Sequence, residues 1–372
     1  MKKYLLVCAA LGMLFFSGGN LLAQTNLSAD SSTRELLRAR VLDVLTDTEE
    51  VIQSQNGEDA LFRTQTIEIE IIKGSIRGRR MIVENDYSPL REGQRVYLTY
   101  TTINGEEDFS YPQPTRISYL AILASIFFLA IVFFAKKQGL KSFLTITLSL
   151  FIVFFFVLPQ IINGRSPVLV ALAAGFVIVT TTLYFVYGWD RKTHAAFFGT
   201  ITSLLFVFLL SIIFSNLISL TGQANEQAIH IRFLWGNLIN LKGVLLATII
   251  IGTIGALNDV AVDQSSTVFA LKEANGSLGT KELYGKSIVV GKDHLLATIN
   301  TLVLAYIGIS LPLLLVVFGS SDLPILYILN NEIFAEEIAR TLLASIGLIA
   351  VTPLTTLFAV LLASKRNART KG

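Results

Sequence analysis

The sequence is poor in the residues from which most enzymes build their sites. Its 372 residues include one cysteine, Cys8, and three histidines, His194, His230 and His294. Because Cys8 lies in the amino-terminal apolar run, the rest of the chain has no thiol for a disulfide, a nucleophile or a cysteine-ligated metal. No pair of histidines has metal-ligand spacing, and His230 reads as a solvated outer-loop residue. No Gly-x-Ser-x-Gly elbow or comparable nucleophile arrangement occurs. The stretch Gly279 to Ser287 looks like a phosphate-binding loop but has five residues between its glycines and no strand before it. Neither a nucleotide, a metal nor another cofactor is therefore expected, and the chain does not read as an enzyme.

Charge is scarce as well. Charged residues make up 15% of the chain, against about 25% in an ordinary soluble domain. The net charge of +3 is too slight for a nucleic-acid binder. What the chain has in abundance is apolar side chains, 52% of all residues with a mean hydropathy of +0.61, which argues for a membrane protein. The charge is also unevenly placed. Residues 24–116 carry a net of −5 and residues 117–372 a net of +6, so a domain boundary is expected near Arg116.

Lys2 and Lys3 precede an apolar run from Tyr4 to Phe16 and the small residues Ser17, Gly18 and Gly19. This pattern reads as a secretory signal peptide over 1–23, with cleavage after Ala23. Leu21 at the minus-three position departs from the small-residue rule, so an uncleaved anchor is the alternative. Either would export the segment 24–116. There, Ile67, Ile69 and Ile71 alternate with Thr66, Glu68 and Glu70, and Val96, Leu98 and Tyr100 alternate with Tyr97 and Thr99. That is the period-two signature of half-buried strands. Further strands are expected over 38–45 and 79–85, with turns at Asn56-Gly57, Gly74, Gly78 and Asn104-Gly105. Four or five short strands predict a small antiparallel barrel, OB-like or SH3-like, serving either as a cap or as a module that binds a ligand or partner.

A membrane span needs about 20 apolar residues. Seven candidates follow the β segment: 117–135, 142–162, 168–189, 195–220, 238–258, 294–318 and 338–363. With the β segment outside, the stretches 136–141, 190–193, 259–293 and the tail 364–372 fall on the cytoplasmic side and hold thirteen Lys and Arg. The outer loops hold only Arg165 and Arg232, and Lys242 and Arg340 sit at the outer ends of spans, in keeping with the positive-inside rule. Fold class is thus an α-helical polytopic membrane protein, seven transmembrane helices preceded by a small exported β domain. Its carboxyl terminus is expected in the cytoplasm. Pro312 and Pro353 interrupt the last two spans and remove backbone donors there.

The most informative stretch is 255–318. It holds Gly255-Ala256-Leu257-Asn258-Asp259-Val260-Ala261, then Gly291-Lys292-Asp293-His294, and then Thr298-Ile299-Asn300-Thr301-Leu302-Val303-Leu304-Ala305-Tyr306 through Ser310-Leu311-Pro312. This resembles the YibE/F-like family of bacterial polytopic membrane proteins over most of 117–363. The preceding β segment is similar to that family's usual amino-terminal extension. The resemblance implies a bacterial cell-membrane protein and brings no biochemical activity with it. Asn258-Asp259 and Asp263 stand where many members carry fewer acids.

Helical spacing places Asp259 and Asp263 on one face near the cytoplasmic boundary, where paired carboxylates could take up a cation or proton. Solvation at the headgroups, or pairing with Lys292, is the plainer alternative. Asn300 and Thr301, about two turns into the bilayer, are expected to face other helices, either for packing or to touch a substrate. The loop 259–293, with Val268, Phe269 and Leu271 beside Lys272 and Glu273, reads as a membrane-surface helix or a docking helix. Two functions are compatible with this pattern. One is movement of a small solute or ion past Asp259, Asp263, Asp293, His294, Asn300 and Thr301, with Pro312 opening the helix beside them. The other is a non-transporting envelope assembly or sensing component whose outer β domain binds a partner protein.

Overall fold

A computed structural model of the chain describes residues 33–53, 59–103, 106–320 and 324–369. The signal segment, Cys8, Asn56-Gly57 and Asn104-Gly105 lie outside the described residues. Two compact units divide between Ala130 and Ile131.

The first unit is an antiparallel half-barrel. Its strands are β1 (Thr33–Gln53), β2 (Asp59–Lys73), β3 (Arg80–Asn85), β4 (Arg95–Ile103), β5 (Glu106–Phe109) and the two-residue β6 (Gln113–Pro114). They pair in the order β3-β2-β1-β4-β5, with β6 also on β4. β1 is long enough to serve two partners: residues 33–40 pair with β4 and 38–53 with β2. Three register shifts along the β1–β2 pair fall between Arg38 and Thr46, and such bulges bend a strand and curl its sheet. The expected alternation is present. Ile67, Ile69 and Ile71 are buried with Leu37, Ala39, Val41, Leu90, Val96 and Leu98, while Thr66, Glu68 and Glu70 are only half-buried.

Buried Gln65 fixes the loop between β3 and β4. Its Oε1 accepts from the Leu90 N–H at 2.7 Å and from Asn85 Nδ2 at 3.2 Å, and its Nε2 donates to Asp47 Oδ2 at 3.1 Å. Arg63 grips the same carboxylate through two hydrogen bonds of 2.7 and 2.6 Å. The guanidinium beside Asp47 holds its carboxyl down at about 2.

The second unit is helical. Its elements are α1 (Ile117–Ile152, which begins in the first unit), a π-helical turn (Val153–Val157), α2 (Leu158–Ile162), α3 (Pro167–Tyr187), α4 (Arg191–Leu217), α5 (Glu226–Trp235), α6 (Leu241–Ala274), α7 (Thr280–Ser320), α8 (Ile325–Asn330) and α9 (Glu332–Arg369). Among the described residues, six helical stretches are long and apolar enough to cross a membrane. The first of these, Ile117–Ile162, takes in both of the first two expected spans. It is not continuous. Lys136 has φ 48° and ψ −125°, outside any helix. A Cβ on Gly139 would lie 2.9 Å from the Ile131 carbonyl carbon, whereas eight residues of straight helix would put the two about 12 Å apart. The chain therefore turns back on itself around Lys136.

α4, α6 and α9 pack on one another, with α3 against α4 and α6. Small residues permit the close approach. A Cβ on Gly199 would sit 2.8 Å from Thr355 Cβ, and one on Gly347 would overlap Val207. Two helical segments keep their apolar faces out of this core: no residue of 117–138 or 296–319 is buried.

The expected cytoplasmic loop 259–293 is instead two helix ends. α6 continues to Ala274, a short turn spans 275–279, and α7 starts at Thr280. Neither end is a free surface helix, because Val268, Leu278 and Leu283 are buried with Ala195 of α4 and Ala359 and Val360 of α9. The charges here lie on the outer faces, so the helices extend as amphipathic continuations of the bundle. The loop-like Gly279–Ser287 stretch forms the start of α7, with Leu283 and Ser287 fully buried.

Candidate functional site

Three of the residues singled out by sequence come together. Asp263 on α6 and His294 on α7 meet at 3.0 Å, Oδ2 to Nε2, with both side chains about half exposed. Asp259, one turn earlier on α6, is close enough to interact electrostatically with both, and Tyr187 at the end of α3 is close to both aspartates. The cluster thus joins α3, α6 and α7 at one rim of the bundle. The other singled-out residues do not join it. Asp293 is exposed beside His294, and Pro312 is exposed further along α7. Asn300 and Thr301 are also exposed in the single chain rather than turned toward other helices. The Thr301 hydroxyl satisfies itself on the Ala297 carbonyl at 2.9 Å. The reason lies in α7, whose buried positions are Leu283, Ser287, Gly291 and Leu295, one ladder at four-residue spacing. Past Leu295 the same face continues half-buried through Ile299, Leu302, Val303, Tyr306 and Ser310, and Asn300 lies off it.

That ladder is held by a residue the sequence reading passed over. Gln264 is 3% exposed and donates to the Ser287 carbonyl at 3.0 Å and to Thr356 Oγ1 at 2.7 Å, tying α6 to α7 and α9. Gly291 leaves the room this needs, since a Cβ there would overlap Gln264 Oε1 and lie 2.7 Å from its Cδ.

Deeper in the core, five side-chain oxygens have no hydrogen-bond partner: Thr200 Oγ1 and Ser203 Oγ on α4, Asn258 Oδ1 on α6, and Thr352 Oγ1 and Thr355 Oγ1 on α9. None of the five residues is more than 6% exposed. An unsatisfied buried oxygen costs about 1–3 kcal/mol. Thr200 is nine residues into α4, about 14 Å from its start, which is roughly half the hydrocarbon thickness. Cavities open at the two ends of α4. One of about 650 Å³ is lined by Asp190, Arg191, Lys192, Lys272 and Glu273. The other, about 690 Å³, is lined by Asn216, Thr221, Gln223, Asn240 and Lys242.

Near the second cavity, Glu336 of α9 is 3% exposed and its Oε1 has no partner. Arg340 donates to Glu337 at 2.6 Å and Ser310 reaches the same carboxylate at 3.4 Å, while Glu332 accepts from the Thr221 N–H. The sequence reading counted Arg340 as an outer charge and missed the acids a turn before it. Their signal was present: three glutamates within the first two turns of an apolar span.

The family model of YibE/F-like proteins matches residues 123–365. The chain belongs to the YibE/F-like family. With six helices of spanning length and composition, this YibE/F-like protein is a multi-pass membrane protein. The match covers the Asp259–Asp263–His294 rim, the Gln264 node and the five-oxygen layer. No curated protein and no solved structure matches the chain.

Proposed function

We propose that this YibE/F-like protein is a non-enzymatic, seven-span permease-like bundle that moves a small solute or ion between α4, α6 and α9. The observation that carries the reading is the order of features along α4: a polar cavity at each end and a layer of unpartnered buried oxygens between them. Polar groups without partners inside a membrane bundle are costly, and a pathway is the usual reason to keep them. The turn at Lys136 supports reading the first long stretch as two spans, seven in all. On this topology the half-barrel is exported, and the cavity lined by Arg191, Lys192 and Lys272 opens to the cytoplasm. The Asp259, Asp263 and His294 rim borders the pathway and can exchange protons with it.

The test is a thermal-stability screen of the detergent-purified protein against ions and metabolites, run beside Asp259→Asn. A ligand at 100 times its dissociation constant adds about 2.7 kcal/mol. Transport predicts a stabilising hit that weakens in the variant and a solute that crosses proteoliposome membranes. A screen with no hit, or hits with no flux, counts against it.

The second reading, an assembly or sensing component, has its own observation. Beyond β3 and β4, residues 47–53 of β1 and 59–64 of β2 form a two-stranded ribbon with no third strand among the described residues. Val51, Leu61 and Phe62 on this ribbon are all more than half exposed, and exposed apolar residues on an unpaired ribbon favour a protein partner. This reading predicts a co-purifying envelope protein that is lost when 47–64 is replaced by a tight turn and kept in Asp259→Asn.

A further inference from the structure

We propose that the α4–α6–α9 core binds a sodium ion through the side-chain oxygens of Thr200, Ser203, Asn258, Thr352 and Thr355. The inference rests on the transport reading for its purpose, since it names the ion carried or coupled, but the occupancy of the site is measured independently of transport.

Contacts between the helices bring the five residues into one stretch of the core. Gly199 lies against Thr355 and Gly347 against Val207, so α4 and α9 run antiparallel with Thr200 and Ser203 opposite the turn that holds Thr352 and Thr355. Gln264 bonds Thr356, and Leu257 touches the Gly347 position, so α6 runs parallel to α9 and places Asn258 about one turn from Thr352. The Ser265 hydroxyl bonds the Lys192 carbonyl at 2.7 Å and fixes the α4–α6 register from below. All five residues therefore fall within about two helical turns, about 11 Å along the helix axes. Pro353 sits in the same turn of α9 and leaves the Ile349 carbonyl without its helical donor.

The donor set selects the ligand. Four hydroxyl oxygens and one amide oxygen are hard ligands that suit oxygen-seeking cations rather than zinc or copper. The layer itself has no carboxylate, whereas calcium and magnesium sites are built with them, so a single positive charge fits. Hydroxyl hydrogens can rotate away from a cation. An anion would instead meet the unpartnered Asn258 oxygen. The contact of Gly199 with Thr355 holds α4 and α9 close together, which favours sodium over the larger potassium. Asp259, next to Asn258, supplies the nearest negative charge on that helix.

The experiment uses the full-length protein in detergent, with binding of radioactive sodium measured directly and thermal midpoints compared in sodium, potassium and choline chloride at equal ionic strength. Saturable sodium binding, with a midpoint raised in sodium alone, is expected. Thr200→Val and Thr355→Val should each weaken sodium binding at least tenfold. Because each removes an unpartnered hydroxyl, neither should lower the midpoint in choline. Thr355→Ser keeps the oxygen and should keep the binding, which separates loss of the ligand from loss of the fold. Equal midpoints in sodium and choline, or valine variants that bind sodium as the wild type does, overturn the proposal. Proteoliposome uptake separates the two claims. Sodium binding without flux of any solute leaves the site standing and removes the transport reading; solute flux without sodium binding does the reverse.

Discussion

Gly291→Ala should loosen the tie between α6, α7 and α9 by a defined route. A Cβ at this position meets Gln264 at the end of a flexible side chain, Oε1 first and Cδ at 2.7 Å, and its three nearest atoms all belong to that side chain. The helices need not separate; Gln264 can swing away. In doing so it gives up its bonds to the Ser287 carbonyl and to Thr356 Oγ1. Interhelical hydrogen bonds in membrane proteins contribute about 0.6–1.7 kcal/mol each, so the variant should lose about 1–3 kcal/mol. Gln264→Ala forfeits the same two bonds and should cost a similar amount. The double variant has no remaining clash and no further bond to lose, so it should be no less stable than Gln264→Ala alone. A double-mutant cycle on reversible unfolding in mixed micelles would then give a coupling of about 1–3 kcal/mol, well above the few tenths expected for independent sites. Additive losses would refute the account, because they would mean that Gly291 and Gln264 do not share space.

Gly199→Ala should be worse, since the added carbon lies 2.9 Å from the backbone Cα of Thr355 and no side-chain rotation relieves it; Thr355→Ala should fail to rescue its expression or thermal midpoint. In the half-barrel, Arg63 holds the Asp47 carboxyl at about 2, below its ordinary 3.8. A depressed carboxylate contributes stability that is present above the unfolded value and lost as pH falls toward the folded one. The loop 86–94, which Gln65 ties to Asp47, should therefore become sensitive to pepsin between about pH 4 and pH 2 in the wild type. In Asp47→Asn it should already be cut at pH 4, and equal cutting of the two proteins at that pH would refute the link.

How legible these features are in the sequence depends on how local their cause is. The strand at Ile67, Ile69 and Ile71 is readable because alternation along one strand is enough to bury one face. The membrane spans are readable because length and apolarity suffice. The segment 259–293 is not, because Asp259, Asp263, Lys272 and Glu273 resemble a solvated loop to any count of charge. Yet Ala261, Gln264, Ser265 and Val268, and then Leu283, Ser287 and Gly291, recur at three- and four-residue spacing and are all buried. Weighing spacing above charge would have found the two helix extensions. Asn300 misled for the opposite reason: the cost of an amide in lipid is real, but the packed face of α7 runs through Leu295, Ile299 and Tyr306 and leaves Asn300 off it. The five-oxygen layer has no local signal at all. Threonine and serine are ordinary in spans, and only the antiparallel run of α4 against α9 brings 200–203 level with 352–355.

The contrast between the rim and the layer bears on where a solute would be selected. At the rim, Asp263 and His294 are about half exposed, and an ion pair in that setting contributes about 0–1 kcal/mol because water and salt screen it. Such a cluster can attract ions, but it discriminates weakly. The oxygens of Thr200, Ser203, Asn258, Thr352 and Thr355 are shielded from water, and a group bound there exchanges its whole hydration shell for fixed ligands. Discrimination between ions of different size arises where that exchange is complete. Selection in the layer and attraction at the rim also predict different failures. Asp263→Asn should slow uptake and alter its salt dependence while leaving ion preference unchanged. Thr355→Val should change the preference itself. Measuring uptake of sodium and potassium side by side in both variants checks the division, and a change of preference in Asp263→Asn would move the selective step to the rim.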